Sequence, residues 1–263
     1  MELKHTSMTE VTLDSVGLRF GSYGALQDLS FEVPRGQFAA IVGPTGCGKS
    51  SVLNLIGGLL KPSAGKVFSG GREISTINRD AVYMFQQDAL LPWKTALENV
   101  MLGPLLRGVP RQQAVKDARL WLERVKLRDL DARFPSQLSG GQRKRVAMAQ
   151  ALINRLPILL MDESFSALDA QTRSVMENEL LELWHEIGAT VLFVTHDLEE
   201  AIAMADRVLL FRAGPNARLK GDYPVALPRP RNVAEARFIP GFAEIYETVW
   251  RNLREEVMAA YAG

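Results

Sequence analysis

Gly43-Pro44-Thr45-Gly46-Cys47-Gly48-Lys49-Ser50 is the stretch on which the reading of this chain turns. Before it stands Phe38-Ala39-Ala40-Ile41-Val42, a short apolar run with the pattern of a buried strand. After it, Ser51-Val52-Leu53-Asn54-Leu55-Ile56 is helix-forming. Strand, glycine-rich turn and helix are the context in which G-x-x-x-x-G-K-[ST] becomes a phosphate cradle. Glycines let successive backbone N–H groups converge with no Cβ in the way, and the new helix points the positive end of its dipole at the anion. Lys49 is placed to reach the outer phosphates and the Ser50 hydroxyl to ligate Mg²⁺. With Ser51 next on the helix, these residues form a nucleoside-triphosphate site.

Size and composition bound what surrounds that site. At 263 residues the chain is long enough for one large α/β domain with a full core, or a domain with a subdomain. Lysine plus arginine (31) nearly balances aspartate plus glutamate (30), which makes no case for nucleic acid or an anionic lipid surface. The hydrophobic fraction of 47% is ordinary for a globular protein. No apolar run approaches the ~20 residues needed to cross a bilayer. Met1-Glu2-Leu3-Lys4-His5-Thr6 carries no apolar signal-peptide core. The single cysteine, Cys47, excludes an intrachain disulfide and a CxxC metal site. These features predict a soluble, cytosolic chain whose role at a membrane would come through a partner.

Residues 11–33 alternate Val16, Leu18 and Phe20, then Leu29, Phe31 and Val33, which predicts a hairpin or small antiparallel sheet. A second β-like run covers 67–77, and Val82-Tyr83-Met84-Phe85 is a strand candidate. From 98 to 134 the pattern is helical, with Ala114, Ala118, Trp121, Leu122 and Val125 at three- and four-residue steps. Helices are predicted at 142–152 and 170–187. Buried strands are predicted at Ile158-Leu159-Leu160-Met161, Thr190-Val191-Leu192-Phe193-Val194-Thr195 and Val208-Leu209-Leu210-Phe211. Strands alternating with helices indicate a mostly parallel sheet. The expected division is a domain over 1–213, with a helical subdomain inserted at about 94–152, and a tail over 214–263. That tail is rich in proline and arginine and ends in an amphipathic stretch. Its face of Phe242, Ile245, Tyr246, Val249, Trp250, Leu253 and Val257 is expected to pack on the body.

Ile158-Leu159-Leu160-Met161-Asp162-Glu163 is an apolar strand ending in adjacent carboxylates. Ligands of open α/β sheets sit at the carboxyl ends of strands. Asp162 is therefore expected beside the phosphate loop, holding Mg²⁺, with Glu163 orienting or deprotonating the attacking water. His196 follows another strand and is expected to contact the γ-phosphate or hold Glu163 and the water. His5 and His185 read as a terminal and a helix-surface residue.

Leu138-Ser139-Gly140-Gly141-Gln142, between the phosphate loop and the acidic strand, resembles the signature motif of the ABC ATPases. Phe20 resembles the aromatic that stacks on adenine, with Tyr23 as the alternative. Gln86 resembles the Q-loop glutamine, Ser166-Ala167-Leu168-Asp169 the D-loop, and His196 the switch histidine. The resemblance spans about 11–211. It implies a P-loop NTPase (ABC ATPase) core with a mostly parallel sheet, an N-terminal antiparallel β-subdomain and an inserted helical subdomain. It implies ATP and Mg²⁺ as cofactors, Glu163, His196 and Gln86 in catalysis, and Ser50, Gln86 and Asp162 about the metal. It also implies a homodimer in which Ser139, Gly140, Gly141 and Gln142 of one copy, with Asp169, close over ATP held by the other's phosphate loop. Two departures stand out. Ser164 follows Glu163 where the family usually has proline, which frees the backbone. Gln150 replaces a common arginine.

A lone ATPase chain of this kind resembles the ATP-binding subunits of bacterial importers. The run Leu90-Leu91-Pro92-Trp93-Lys94-Thr95 and the tail around 228–256 look most like the nitrate/sulfonate/taurine group. The implied partners are a membrane permease, reached through the groove beside Gln86 and residues 90–93, and, indirectly, a periplasmic or extracellular solute-binding protein. The implied location is the cytoplasmic face of the membrane. The alternative is a non-transport ABC ATPase of repair, translation or cluster assembly. The long coiled-coil insertion of repair members and the tandem copies of translation members are both missing from this sequence.

Overall fold

Apolar runs of four or five residues, bounded by polar or glycine-rich loops, become the parallel strands at the centre of the molecule. The computed structural model describes residues 9–262. The expectations for the first six residues, His5 included, lie outside the described residues.

Strands β1 (Thr9–Phe20) and β2 (Tyr23–Pro34) form a hairpin, and β3 (Phe38–Val42) runs into helix α1 (Lys49–Ile56). Next come β4 (Ala64–Ser69), β5 (Arg72–Glu73) and β6 (Ala81–Met84), then helices α2 (Ala96–Val100), α3 (Leu102–Leu106), α4 (Arg111–Arg124) and α5 (Gly140–Leu152). The chain continues through β7 (Ile158–Asp162), α6 (Ala170–Ile187), β8 (Thr190–Val194), α7 (Leu198–Met204), β9 (Arg207–Phe211), β10 (Leu219–Pro224) and α8 (Phe242–Ala262).

Two sheets result. One is antiparallel, in the order β2-β1-β4-β5; the other has the order β10-β9-β3-β8-β7-β6. In the larger sheet every pairing is parallel except that of β10 with β9. Strands β3 and β8 are buried at every residue, as expected where both faces of a parallel sheet are covered. Alternate residues feed two cores. Phe38, Ala40, Val42, Met161, Phe193 and Leu210 pack beneath the helices from α2 to α8. Ala39, Ile41, Leu160, Val194 and Phe211 pack against α1 and the antiparallel sheet.

Several elements differ from the sequence expectation. The run 67–77 is split by the turn at Gly70 and Gly71 into β4 and a two-residue β5, and Ile77 is exposed. The stretch 98–134 is broken by Pro104 and Pro110 into short helices, and after Val125 it is turns. Phe85 lies beyond β6 and stacks on Tyr83, with ring centroids 4.1 Å apart. Residues 219–224, unassigned in the sequence reading, form an edge strand. The final helix buries Phe242, Val249 and Leu253, while Trp250 is on its open side, stacked on Tyr246.

Candidate nucleotide site

Four adjacent parallel strands deliver the site. β3 ends at the phosphate loop, β8 at His196, β7 at Asp162 and Glu163, and β6 two residues before Gln86. Ile41 and Asp162 are both paired with Val194. The loop and the acidic pair therefore leave the sheet at one level, two strand spacings or about 10 Å apart.

The loop conformation requires its glycines. Gly48, the N-cap of α1, has φ +90°, and a Cβ there would come within 2.8 Å of Leu26 Cδ2. A Cβ on Gly43 would meet the Phe211 carbonyl oxygen at 2.9 Å. Lys49 is buried, and its ammonium donates to the Gly43 and Pro44 carbonyls at 2.8 and 2.9 Å. This folds the side chain back over the cradle formed by Pro44, Thr45 and Gly46. The Cys47 N–H turns back to the Pro44 carbonyl at 3.3 Å. The Cys47 thiol is fully buried, and burial pushes its pKa up, which suits a packing residue and not a nucleophile.

Ser50 Oγ donates to Asp162 Oδ1 at 3.0 Å, and Tyr83 Oη donates to Asp162 Oδ2 at 3.3 Å. Burial raises the Asp162 pKa, while the Ser50 and Tyr83 hydrogen bonds oppose the shift. Among the described residues no group of three His, Cys, Asp or Glu side chains is placed to hold a metal. A hydroxyl facing one carboxylate is nevertheless a suitable protein share for Mg²⁺, which keeps waters and takes phosphate oxygens for the rest of its shell.

Glu163 follows in the left-handed region, φ +44°, a conformation costly for a residue with a Cβ. Neighbouring bonds hold it there. Its N–H donates to the Val194 carbonyl at 2.9 Å, and its carbonyl accepts from Ser166 N and Ser166 Oγ at 3.1 and 2.9 Å. Gln86 Nε2 lies 3.4 Å and His196 Nδ1 3.5 Å from the same Glu163 oxygen, Oε2. His196 is mostly exposed and Glu163 half-buried. Ser164 is buried, and its hydroxyl donates to the Met84 carbonyl at 2.9 Å. Ser164 thus ties the turn that carries Glu163 to β6, a contact its identity alone did not predict.

Ser139 and Gln142 form a reciprocal capping box at the start of α5. Ser139 Oγ accepts from Gln142 N at 3.2 Å, and Gln142 Oε1 accepts from Ser139 N at 2.9 Å. Ser139 and Gly140 are exposed and Gly141 half-buried. Asp169 caps α6 by accepting from Thr172 N at 3.0 Å, a bond that lowers its pKa. Phe20 and Tyr23 pair at the tip of the β1–β2 hairpin, each about half exposed (50% and 49%), so exposure does not choose between them. Ser51 is half-buried on α1, and His185 is exposed on α6.

A glycine-rich strand-to-helix loop, a serine–carboxylate pair beside it and a polar cluster on the adjoining strand end define a P-loop NTPase. The comparisons with known proteins refine that class. The ABC transporter family profile matches residues 26–166. The aliphatic sulfonates import ATP-binding protein of Yersinia pestis is 45% identical over 241 residues, 92% of this chain and 86% of that protein. The protein of the same description in Escherichia coli K12 is 42% identical over 248 residues, 94% of each. An uncharacterized ABC transporter ATP-binding protein of Methanocaldococcus jannaschii is 40% identical over 234 residues, 89% of this chain and 86% of that one. Among solved structures, a dimeric ATP-binding cassette in a post-hydrolysis state with ADP and Pi aligns with a TM-score of 0.70 at 33% identity, covering 82% of this chain and 98% of that one. The ADP conformation of another ABC transporter cassette aligns with a TM-score of 0.72 at 26% identity, covering 91% and 99%. The chain belongs to the ABC transporter family: it is an ATP-binding subunit and an ATPase.

Proposed function

We propose that this subunit drives import of a small anionic solute, of the aliphatic sulfonate class, through a separate membrane permease, hydrolysing ATP between two copies of itself. The cluster of Gln86, Glu163 and His196 beside the Ser50–Asp162 pair is the observation that carries the catalytic part of this reading.

Residues 43–51 cradle the phosphates, with Lys49 turning from the loop carbonyls to the outer phosphates. Ser50, Asp162 and Gln86 would hold Mg²⁺ through their oxygens, and the ion would supply positive charge against the phosphates. Glu163 orients or deprotonates the attacking water, and Gln86 and His196, both on Glu163 Oε2, keep that carboxylate aimed. The hairpin-tip aromatic, Phe20 or Tyr23, stacks on adenine. Ser139, Gly140, Gly141 and Gln142 form an exposed anion-binding helix start, complementary to ATP on a second copy, with Asp169 at the same interface.

A groove of about 260 Å³ lined by Tyr83, Phe85, Leu102, Leu106, Ala147 and Gln150 supports the permease assignment. Leu106 is 80% exposed and Trp93 70%, apolar surface suited to a partner's helix. Among the described residues no helix is long and apolar enough to cross a membrane. In this reading the permease holds the subunit at the cytoplasmic face, and a solute-binding protein outside the membrane chooses the cargo. The sulfonate class rests on the relatives' names.

Glu163→Gln tests the catalytic reading. Turnover should fall about 100-fold or more, the scale of losing a general base, while equilibrium ATP binding persists. Unaltered turnover would refute the assignment.

A further inference from the structure

Lys144 is an anomaly on α5: an ammonium whose side chain is 4% exposed, on a helix otherwise buried through Val146, Met148, Ala149 and Leu152. A buried lysine needs partners, because an unpaired charge out of water is costly. Its partners are specific. The ammonium donates to the Gln86 carbonyl at 3.2 Å and lies 2.9 Å from Asp88 Oδ1. Arg143 Nε, one residue earlier, is 3.5 Å from the other Asp88 oxygen. The segment 86–88 is thereby clamped to the helix that Ser139 begins. Two residues upstream of Gln86, the Met84 carbonyl is held by Ser164 Oγ. Gln86 thus hangs between two backbone anchors, one on the catalytic turn and one on α5, with its amide on Glu163 Oε2.

We propose that Lys144 is a positioning residue for hydrolysis: it fixes the Gln86 backbone so that the Gln86 amide stays on Glu163, and it ties that contact to the helix that starts at Ser139. This rests on the reading of Glu163 and Gln86 as the hydrolytic pair. The consequence is a mechanical link within one chain. A shift of α5, whose first turn faces a second copy's ATP, moves Gln86 at this copy's own ATP. Lys144 also lines the groove assigned to the permease, so link and groove share a residue.

The test is steady-state ATP hydrolysis by the full chain carrying Lys144→Met, Asp88→Asn, Gln86→Ala and the Lys144→Met/Gln86→Ala pair, with Glu163→Gln run alongside. Lys144→Met should lower kcat about tenfold or more, the scale of a misplaced catalytic group, and leave KM for ATP within about twofold. Asp88→Asn should lower kcat in the same direction by less. In the Gln86→Ala background Lys144→Met should cost nothing further, whereas a residue that merely supports the fold would slow both backgrounds by the same factor. A wild-type kcat for Lys144→Met, or the same loss with and without Gln86, overturns the proposal. If Lys144→Met does not fold, Asp88→Asn decides: unchanged kcat there overturns it equally. Should Glu163→Gln stop turnover while Lys144→Met does not slow it, only this proposal falls. Should Glu163→Gln turn over normally, the hydrolytic reading falls and takes this proposal with it.

Discussion

The strand ends that carry the nucleotide site and the segment after β9 are built by opposite means. Around Glu163 the polar partners are exposed and loosely paired: Gln86 and His196 stand 3.4 and 3.5 Å from its carboxylate, and Glu163 itself has a strained backbone. In the tail, polar groups are buried and saturated. The Arg231 guanidinium, 1% exposed, donates to the carbonyls of Pro228, Ile202, Ala203, Ala205, Val225 and Leu227. It thereby satisfies the carbonyls at the end of α7. Arg229 pairs with Asp206 at 2.7 Å, donates to the Met204 carbonyl and lies over the Trp184 ring at 4.5 Å. Glu256 of α8 accepts from Ala213 N at 3.0 Å and pairs with Lys220 at 3.1 Å. One region keeps its polar groups available for a reaction; the other uses them to hold the end of the chain against α7 and β9.

If that contrast is right, substitutions in the two regions should separate rate from stability. Glu163→Gln should remove turnover with little change in Tm. Arg231→Met is the largest expected effect on folding. It leaves several buried carbonyls without a donor and should cost about 3 kcal/mol, roughly 8 °C in Tm. The kcat per folded molecule should stay near wild type. Thermal melts paired with active-site titration check both halves. A large loss of kcat in Arg231→Met at a temperature where it is fully folded would break the contrast.

A smaller effect comes from a pair between the two regions. Glu177 on α6 and Glu200 on α7 are buried in contact with each other, and both line a cavity of about 450 Å³ that tail residues Val233, Arg237 and Phe242 help to line. Asp197, the Arg173 guanidinium and the Thr195 hydroxyl, which donates to Glu200, complete their surroundings. Burial raises the Glu177 pKa well above its ordinary 4.5, and the hydrogen bond and charge of Glu200 raise it further. The folded chain then keeps a proton that the unfolded chain loses above about pH 4.5. Folding takes up a proton over that interval, so stability falls as pH rises from 4.5 toward the raised value. Glu177→Gln removes this dependence. Its Tm should exceed the wild type's by roughly 3 °C at pH 8, for about 1 kcal/mol, and match it near pH 4.5. An equal difference at both pH values would contradict this account of the proton kept on Glu177.

The same contrast explains what was legible in the sequence. The phosphate loop, Asp162, Glu163 and His196 each adjoin an apolar run that ends where the ligand side of a parallel sheet begins, so a local pattern carries both type and place. Strand β10 gave no such signal. Leu219-Lys220-Gly221-Asp222-Tyr223-Pro224 pairs on one side only and alternates half-exposed with exposed residues, and an edge strand tolerates its glycine and proline. Arg231 gathers carbonyls from two separate stretches of chain, 202–205 and 225–228, and no spacing in one sequence encodes that convergence. Lys144 is not legible in the sequence because a lysine amid Arg143 and Arg145 reads as a solvated helix face; only the fold puts Asp88 beneath it. Gln150 reads in the sequence as a missing charge, and in the structure it stands in the wall of the groove proposed for the permease.

The central claim is that this chain carries half of an ATP site, completed by the Ser139 end of a second copy. Sedimentation of Glu163→Gln with and without Mg²⁺-ATP tests it most directly. The account predicts a shift from monomer to dimer on adding nucleotide. It also predicts that Ser139→Glu, added to the same chain, blocks that shift while each monomer still binds ATP. A chain that remains monomeric with ATP bound at saturation, or a Ser139→Glu variant that dimerises as readily, would contradict it.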